Sequence, residues 1–183
     1  MDLAGTADLI RRHAARSPGA DEASAAAETL ELIRVQPECL LRTAMPGHLT
    51  GSAWIVSPDR SRTLLTLHRK LGRWLQLGGH ADGEANLLNV ALREAHEESG
   101  LSRVRVLDPE LFDIDRHWIP PHKGEPGHWH HDLRFVLEAD PSEPLVVSHE
   151  SKALAWVAVA EVAALNPEES MVRMVRKTLG GGL

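Results

Sequence analysis

The sequence predicts an α/β sandwich with a mixed sheet, preceded by a helical extension. Three observations carry that reading. Apolar residues change near Gly47 from sparse helical spacing to short runs and period-two alternation. One strongly acidic helix interrupts those runs, and a second helix closes the chain before Gly180-Gly181-Gly182. The length, 183 residues, suits one domain with an appendage. A content of 43% hydrophobic and 25% charged residues is that of a globular protein.

The elements follow in order. Helices are expected over 6–16 and 21–35, the first stopped by Ser17-Pro18-Gly19 and the second by Pro37. Both are rich in alanine and thinly apolar, so they should pack on the main domain or on a partner chain. Strands are expected over 52–57 and 63–68, joined by a turn at Pro58-Asp59-Arg60-Ser61, and over 74–77, leading into Gly78-Gly79. A helix over 86–99 is followed by strands over 104–107, 111–115, 129–137 and 153–159. A loop rich in proline and glycine separates the third and second of these from the end, over 119–127, and a last helix spans 168–179. The domain organisation read from this is an extension over 1–46 and a main domain over 47–183.

Charge and composition exclude several classes. A formal charge of −6 argues against a nucleic-acid partner, which needs a basic patch. The opening Met1-Asp2-Leu3-Ala4 lacks a signal-peptide pattern, and no apolar run approaches the roughly 20 residues of a membrane span. One cysteine rules out an internal disulfide and fits a reducing, cytoplasmic setting.

The helix over 86–99 carries the chemistry. Glu94, Glu97 and Glu98 stand at i, i+3 and i+4 and share one face. Leu87, Ala91 and Ala95 form its apolar stripe; Glu98 lies nearly in line with it and Glu94 borders it, so these acids point toward the sheet. Like charges at this spacing repel, and the last turn of a helix favours cations. A hard divalent cation with oxygen ligands would remove both penalties. A solvated acidic face paired with Arg93 is the competing reading.

The segment from Gly79 to Leu101 resembles the Nudix box: Gly, five residues, Glu, seven residues, then Arg-Glu-apolar-x-Glu-Glu-x-Gly-apolar. Gly79, Arg93, Glu94, Ala95, Glu97, Glu98, Gly100 and Leu101 match in register. The first glutamate of the pattern falls on Ala85, with Glu84 one residue early and Gly83 similarly displaced. Trp74 on the entering strand and Trp156 on a late strand agree with many members. The resemblance implies a Nudix-type α/β/α sandwich and hydrolysis of a diphosphate linked to another moiety. It implies Mg²⁺ or Mn²⁺ held by Glu97 and Glu98, with Glu94 as a further ligand or activator of water and a backbone carbonyl at Gly79. Arg93 would orient the glutamates. Glu150 is a candidate general base, or else an exposed loop acid.

The 11 histidines are the other feature, five of them between His117 and His131. Alternation puts His128, His130, Asp132 and Arg134 on one strand face, where they could ligate a transition metal or grip phosphate, or simply wall a polar cavity. His122 and Lys123 suit a lid, or are surface loop residues. Trp118 could stack on a nucleobase or belong to the core.

The segments Gly47-His48-Leu49-Thr50-Gly51-Ser52-Ala53 and Trp74-Leu75-Gln76-Leu77-Gly78-Gly79-His80 are similar to parts of isopentenyl diphosphate isomerase, a Nudix-fold enzyme with a histidine-rich metal site. Its catalytic cysteine would fall on Gly78, and Cys39 lies before the first strand, which counts against the isomerase. A histidine-containing second metal site at His48 and His80 stays open.

Among Nudix subgroups, diadenosine polyphosphate hydrolases typically carry a downstream tyrosine, which this chain lacks. ADP-ribose hydrolases often carry a proline where this chain has Arg116 or His117. The whole chain is similar to bacterial Nudix proteins of unassigned substrate, and its 16 arginines against four lysines agree with a GC-rich genome. The expected activity is metal-dependent cleavage of a nucleoside diphosphate derivative or related organic pyrophosphate, with a small-molecule substrate and a possible homodimer. His80, Trp118, His128, His130 and Arg134 are the candidate substrate contacts. The alternatives are the isomerase and a non-catalytic nucleotide sensor.

Overall fold

A computed structural model describes residues 1–16, 19–122, 124–149 and 151–181. Helices α1 (Leu3–Ala15) and α2 (Ala20–Val35) open the chain. Helix α1 begins three residues earlier than its apolar spacing suggests, because the Asp2 carboxylate accepts the Gly5 N–H at 2.9 Å and caps it. Leu9 and Ile10 of α1, with Ala25, Ala26 and Leu32 of α2, join the same apolar cluster as Leu49, Leu77 and Leu133 of the sheet. The two helices therefore have no core of their own.

Their buried polar groups are paired across the same boundary, as burial demands. His13 places Nδ1 3.1 Å from the Leu111 carbonyl and Nε2 2.9 Å from Glu22. Thr29 Oγ1 lies 2.9 Å from His131 Nδ1. Thr6 donates to the Ala85 carbonyl at 2.7 Å, so α1 holds the loop that precedes the acidic helix.

The sheet has eight strands: β1 (Gly47–Val56), β2 (Arg62–His68), β3 (Trp74–Leu75), β4 (Leu77–His80), β5 (Arg105–Val106), β6 (Asp113–Ile119), β7 (His128–Glu138) and β8 (Ser151–Ala158). Strand β1 runs parallel to β7 along its whole length, from Gly47↔Trp129 to Val56↔Glu138. This long pairing is why β1 begins at Gly47 and not at Ser52. Its other edge is shared, β4 taking Thr50 to Ala53 and β2 taking Ile55 and Val56, both antiparallel. Strand β6 pairs antiparallel with β7 from Asp113↔Arg134 to Ile119↔His128, which shifts it toward its C-terminal side relative to the alternation read from sequence.

Helix α3 (Leu87–Ser99) lies between β4 and β5 in sequence and packs on β1 and β4. It ends at Gly100, whose φ of 72° is left-handed and whose N–H returns to the His96 carbonyl at 2.9 Å. A 3-10 turn (Val159–Glu161), α4 (Val162–Leu165) and α5 (Glu169–Leu179) close the chain. The short α4 has too few residues to show a helical period and was not anticipated.

The layers are α/β/α. Leu49, Ala53 and Ile55 of β1 face the cluster under α3 and the N-terminal helices. Trp54 and Val56, with Met171, Met174 and Val175 of α5, form a second cluster on the opposite face. Trp54 is fully buried and donates its indole N–H to Thr178 at 3.0 Å. Burying side chains of this size contributes roughly 1.5–3 kcal/mol each. Because side chains alternate, His48, Thr50 and Ser52 share the α5-side face with Trp54.

Candidate active site

The acidic helix is built as its pattern requires. Leu87, Val90, Ala91, Ala95 and Glu98 form the buried stripe of α3, so one of the three glutamates is folded into the protein. Glu98 is 8% exposed and accepts the Gly78 N–H at 3.2 Å, whereas Glu97 is exposed. Glu94 is packed on Gly79, where an added Cβ would meet its carboxylate carbon at 2.6 Å. Arg93 donates from one nitrogen to Glu94 and to the His80 carbonyl, both at 2.8 Å. Arg93 thus ties the helix to β4 and partly neutralises the cluster.

Strand alternation settles which backbone groups face these carboxylates. The Ala81 N–H points to β1, bonding Leu49, while the Gly78 N–H and the His80 carbonyl point to α3. In an antiparallel strand N–H and C=O of one residue point the same way, and neighbours alternate. The Gly79 carbonyl is therefore turned to β1, and the carbonyl on the glutamate side belongs to Gly78.

The Ala85 departure also has a structural account. Glu84 accepts the Asn86 N–H at 2.6 Å, so the displaced carboxylate serves the start of α3. Ala85 presents its carbonyl to Thr6 of α1.

On the face away from α3, three cross-strand rows cross β1, β7 and β6, the second and third of them beginning on β4. The first contains His48, His130 and His117, the second His80, Thr50, Asp132 and Asp115, and the third Gly78, Ser52, Arg134 and Asp113. Four imidazoles meet here: the His48 ring lies 5.1 Å from His80, 4.8 Å from His128 and 4.9 Å from His130. Burial holds His48 below the ordinary histidine value, and pushes His80 down to about 4 and His130 to about 2. Burial thus favours the neutral form of His48, His80 and His130. Sequence reasoning grouped His128 with His130, and the register adds His48, His80 and His117. The polar alternation His48, Thr50, Ser52 was the available signal for β1.

Arg134 is on the same face but does not face a solvent-filled site. It is 3% exposed and is held by Asp132 at 2.8 Å, Asp115 at 3.2 Å and Asp113 at 3.4 Å. Its partner Asp132 also accepts from Thr50, Ser52 and Gln76. Asp113 in turn binds Arg173 and Lys177 of α5, and Lys177 binds Glu22 of α2. This charged chain was not read from sequence, because its members are scattered from residue 22 to residue 177.

Trp118 is apart from the histidines. It pairs with Trp129, the rings 5.1 Å apart, on the other face of the β6 edge. That edge is three strands from β4, roughly 14 Å. His122 closes a tight turn with Glu125. Glu150 and Lys123, the candidate base and a candidate lid residue, lie outside the described residues.

Position 78 bears on the isomerase. A Cβ there would lie 2.9 Å from the Ser52 Cα, so the β1–β4 pairing leaves no room for a cysteine. Cys39 is fully buried, and burial pushes its thiol up to about 11, away from thiolate chemistry.

The fold and the glutamate-bearing helix define an enzyme of the Nudix pyrophosphohydrolase type. The NUDIX domain family model matches residues 48–177, and the chain belongs to that family. No curated protein matches it. Among solved structures, a NUDIX family hydrolase from Clostridium perfringens is 25% identical, with a TM-score of 0.55 over 72% of this chain and 95% of that one. A C. elegans Ap4A hydrolase binary complex is 15% identical, with a TM-score of 0.59 over 72% and 95%. The E. coli dihydroneopterin triphosphate pyrophosphohydrolase is 17% identical, with a TM-score of 0.56 over 70% and 92%. The last two likenesses are of fold. No helix among the described residues is long and apolar enough to cross a membrane.

Proposed function

We propose that this protein is a divalent-cation-dependent hydrolase that cleaves the diphosphate linkage of a nucleoside diphosphate derivative or related organic pyrophosphate. The observation that carries this reading is Glu98, a buried carboxylate on the last turn of α3, set against the Gly78 backbone with Glu94 packed beside it. The solved relatives named for Ap4A and for dihydroneopterin triphosphate act on substrates of this chemical class. The family match over 48–177 supports a hydrolase domain over 47–183 with a helical extension over 1–46.

The donor set fits a hard cation. Glu94, Glu97 and Glu98 share the C-terminal end of α3 with a backbone carbonyl alongside, all oxygen donors, and the negative end of the helix adds to their field. Glu97, Glu98 and the Gly78 carbonyl would hold Mg²⁺ or Mn²⁺. Such an ion neutralises phosphate oxygens and lowers the pKa of water.

The remaining work falls to the chain. Arg93 fixes the Glu94 carboxylate, which stands ready to accept the proton of the attacking water. The same guanidinium locks the His80 carbonyl and so keeps β4 in register with α3. Close packing of Gly78 and Gly79 on Ser52 and Glu94 excludes side chains from the place where the phosphates must approach.

A panel of nucleoside diphosphate derivatives and organic pyrophosphates, assayed with Mg²⁺ and Mn²⁺ on wild type and Glu98→Gln, tests this. Turnover of at least one substrate is expected, with a fall of at least about a hundredfold in the variant. Equal turnover by both proteins would sink the glutamate assignment. Tight nucleotide binding without any turnover would favour a sensor.

A further inference from the structure

Across the sheet from the glutamates, His48, His128 and His130 bring one ring nitrogen each within 4.8 Å of one another. His48 is 1% exposed, and its Nε2 has no protein partner among the described residues. Its Nδ1 lies 3.3 Å from the Ala44 carbonyl, which can only accept, so Nδ1 carries the proton and Nε2 presents a lone pair. His128 is fixed likewise, Nδ1 facing the Pro126 carbonyl at 2.9 Å. Its Nε2 then points at His130 Nε2, 3.2 Å away. Carbonyls that orient imidazoles in this manner are the usual outer support of a metal-ligating histidine.

We propose that His48, His128 and His130 form a second metal site, for a transition-metal ion of the Zn²⁺ class, separate from the glutamate site. Neutral imidazoles select zinc, cobalt or nickel over magnesium, which prefers oxygen. The 3.2 Å separation of the His128 and His130 nitrogens is close to the roughly 3.3 Å edge of a tetrahedron with metal–nitrogen bonds of about 2.0–2.1 Å. His48 closes the buried side, whereas His128 and His130 are half-buried and leave an approach from outside. Three protein ligands with one such position is the arrangement of an exchangeable site and not of a closed structural one.

His80 packs beside both His48 and His130, with ring centroids 5.1 Å from each, and walls the remaining side. Its strand connects the two sites: Gly78 and Gly79 meet the glutamates of α3, and His80, one residue later, meets the histidines. His128 and His130 come from β7, outside the two segments that carried the isomerase likeness.

The test uses the untagged full chain, stripped with chelator and titrated with Co²⁺ without substrate, followed by its visible spectrum and by X-ray absorption. One equivalent bound through three imidazoles is expected, displaced by Zn²⁺ but not by excess Mg²⁺. Glu97→Gln/Glu98→Gln should keep that spectrum, while His128→Asn and His130→Gln should lose it with unchanged far-ultraviolet circular dichroism. Loss in the glutamate variant, retention in either folded histidine variant, or displacement by Mg²⁺ overturns the proposal. Fewer than three imidazoles around cobalt in the wild type overturns it whether or not the variants fold.

Discussion

Arg134 donates from Nε to Asp132 at 2.8 Å, both side chains almost wholly buried, and this bond joins the charged interior to the polar face of β1. On one side Asp132 gathers Thr50, Ser52 and Gln76. On the other, Arg134 meets Asp113 and Asp115, and Asp113 leads through α5 to Glu22 of α2. Truncating one member of such a set costs more than the set contributes as a whole, because it strands the remaining charges without water.

Arg134→Met should therefore lower stability by about 3–5 kcal/mol, measured by urea denaturation at neutral pH. A loss below about 1 kcal/mol would show that Asp113, Asp115 and Asp132 are satisfied without it.

Glu22 gives the network a pH dependence. Burial alone would raise its pKa, but hydrogen bonds from His13 and Lys177, and the charges of Lys177 and Arg173, outweigh burial and bring it to about 2. Its folded value lies below the roughly 4.3 of an unfolded glutamate, so its stabilisation is complete above that value and fades as pH falls toward 2. Urea midpoints of wild type and Glu22→Gln should differ at pH 7, and the gap should narrow below about pH 4.3 and close only near pH 2. A gap that stays constant would refute the assignment.

Arg93 should act through geometry as well as charge. Arg93→Lys retains the cation, but its nitrogen falls one atom short of the Arg93 nitrogen that serves both Glu94 and the His80 carbonyl. Turnover is expected to fall about 10–100-fold with little change in the thermal midpoint. Unaltered kcat on a substrate that the wild type hydrolyses would remove Arg93 from the site.

The N-terminal helices should support the box loop through Thr6. Thr6→Val keeps the shape and deletes the bond to the Ala85 carbonyl, leaving that carbonyl with one partner fewer. A destabilisation of about 1–2 kcal/mol is expected in a denaturant titration. No change would mean that the extension packs on the loop without holding it.

The acidic helix was legible because its signals are local. Glu94, Glu97, Glu98 and Gly100 lie within seven residues, and helical spacing alone places them on one face and ends the helix where the left-handed Gly100 stands. The strand face of His128 and His130 was legible for the same reason, since alternation is a property of one strand. The backbone beside the glutamates was not: whether the peptide groups of Gly78 or of Gly79 face Glu98 depends on which edge of β4 pairs with β1. The placement of Trp118 depended similarly on the register of β6 against β7, which puts it beside Trp129 on the face opposite His128 and His130.

Composition, helical spacing and strand alternation are enough to specify an α/β sandwich with a carboxylate cluster on its central helix, because each acts over a few residues. Meeting of His48 with His128 and His130, across 80 residues of chain, required the parallel pairing of β1 with β7. Docking of α1 and α2 onto the sheet likewise rests on His13, Thr29 and His131 finding partners far along the chain. Those contacts are between residues that no local period relates, and only closure of the sheet brings them within bonding distance.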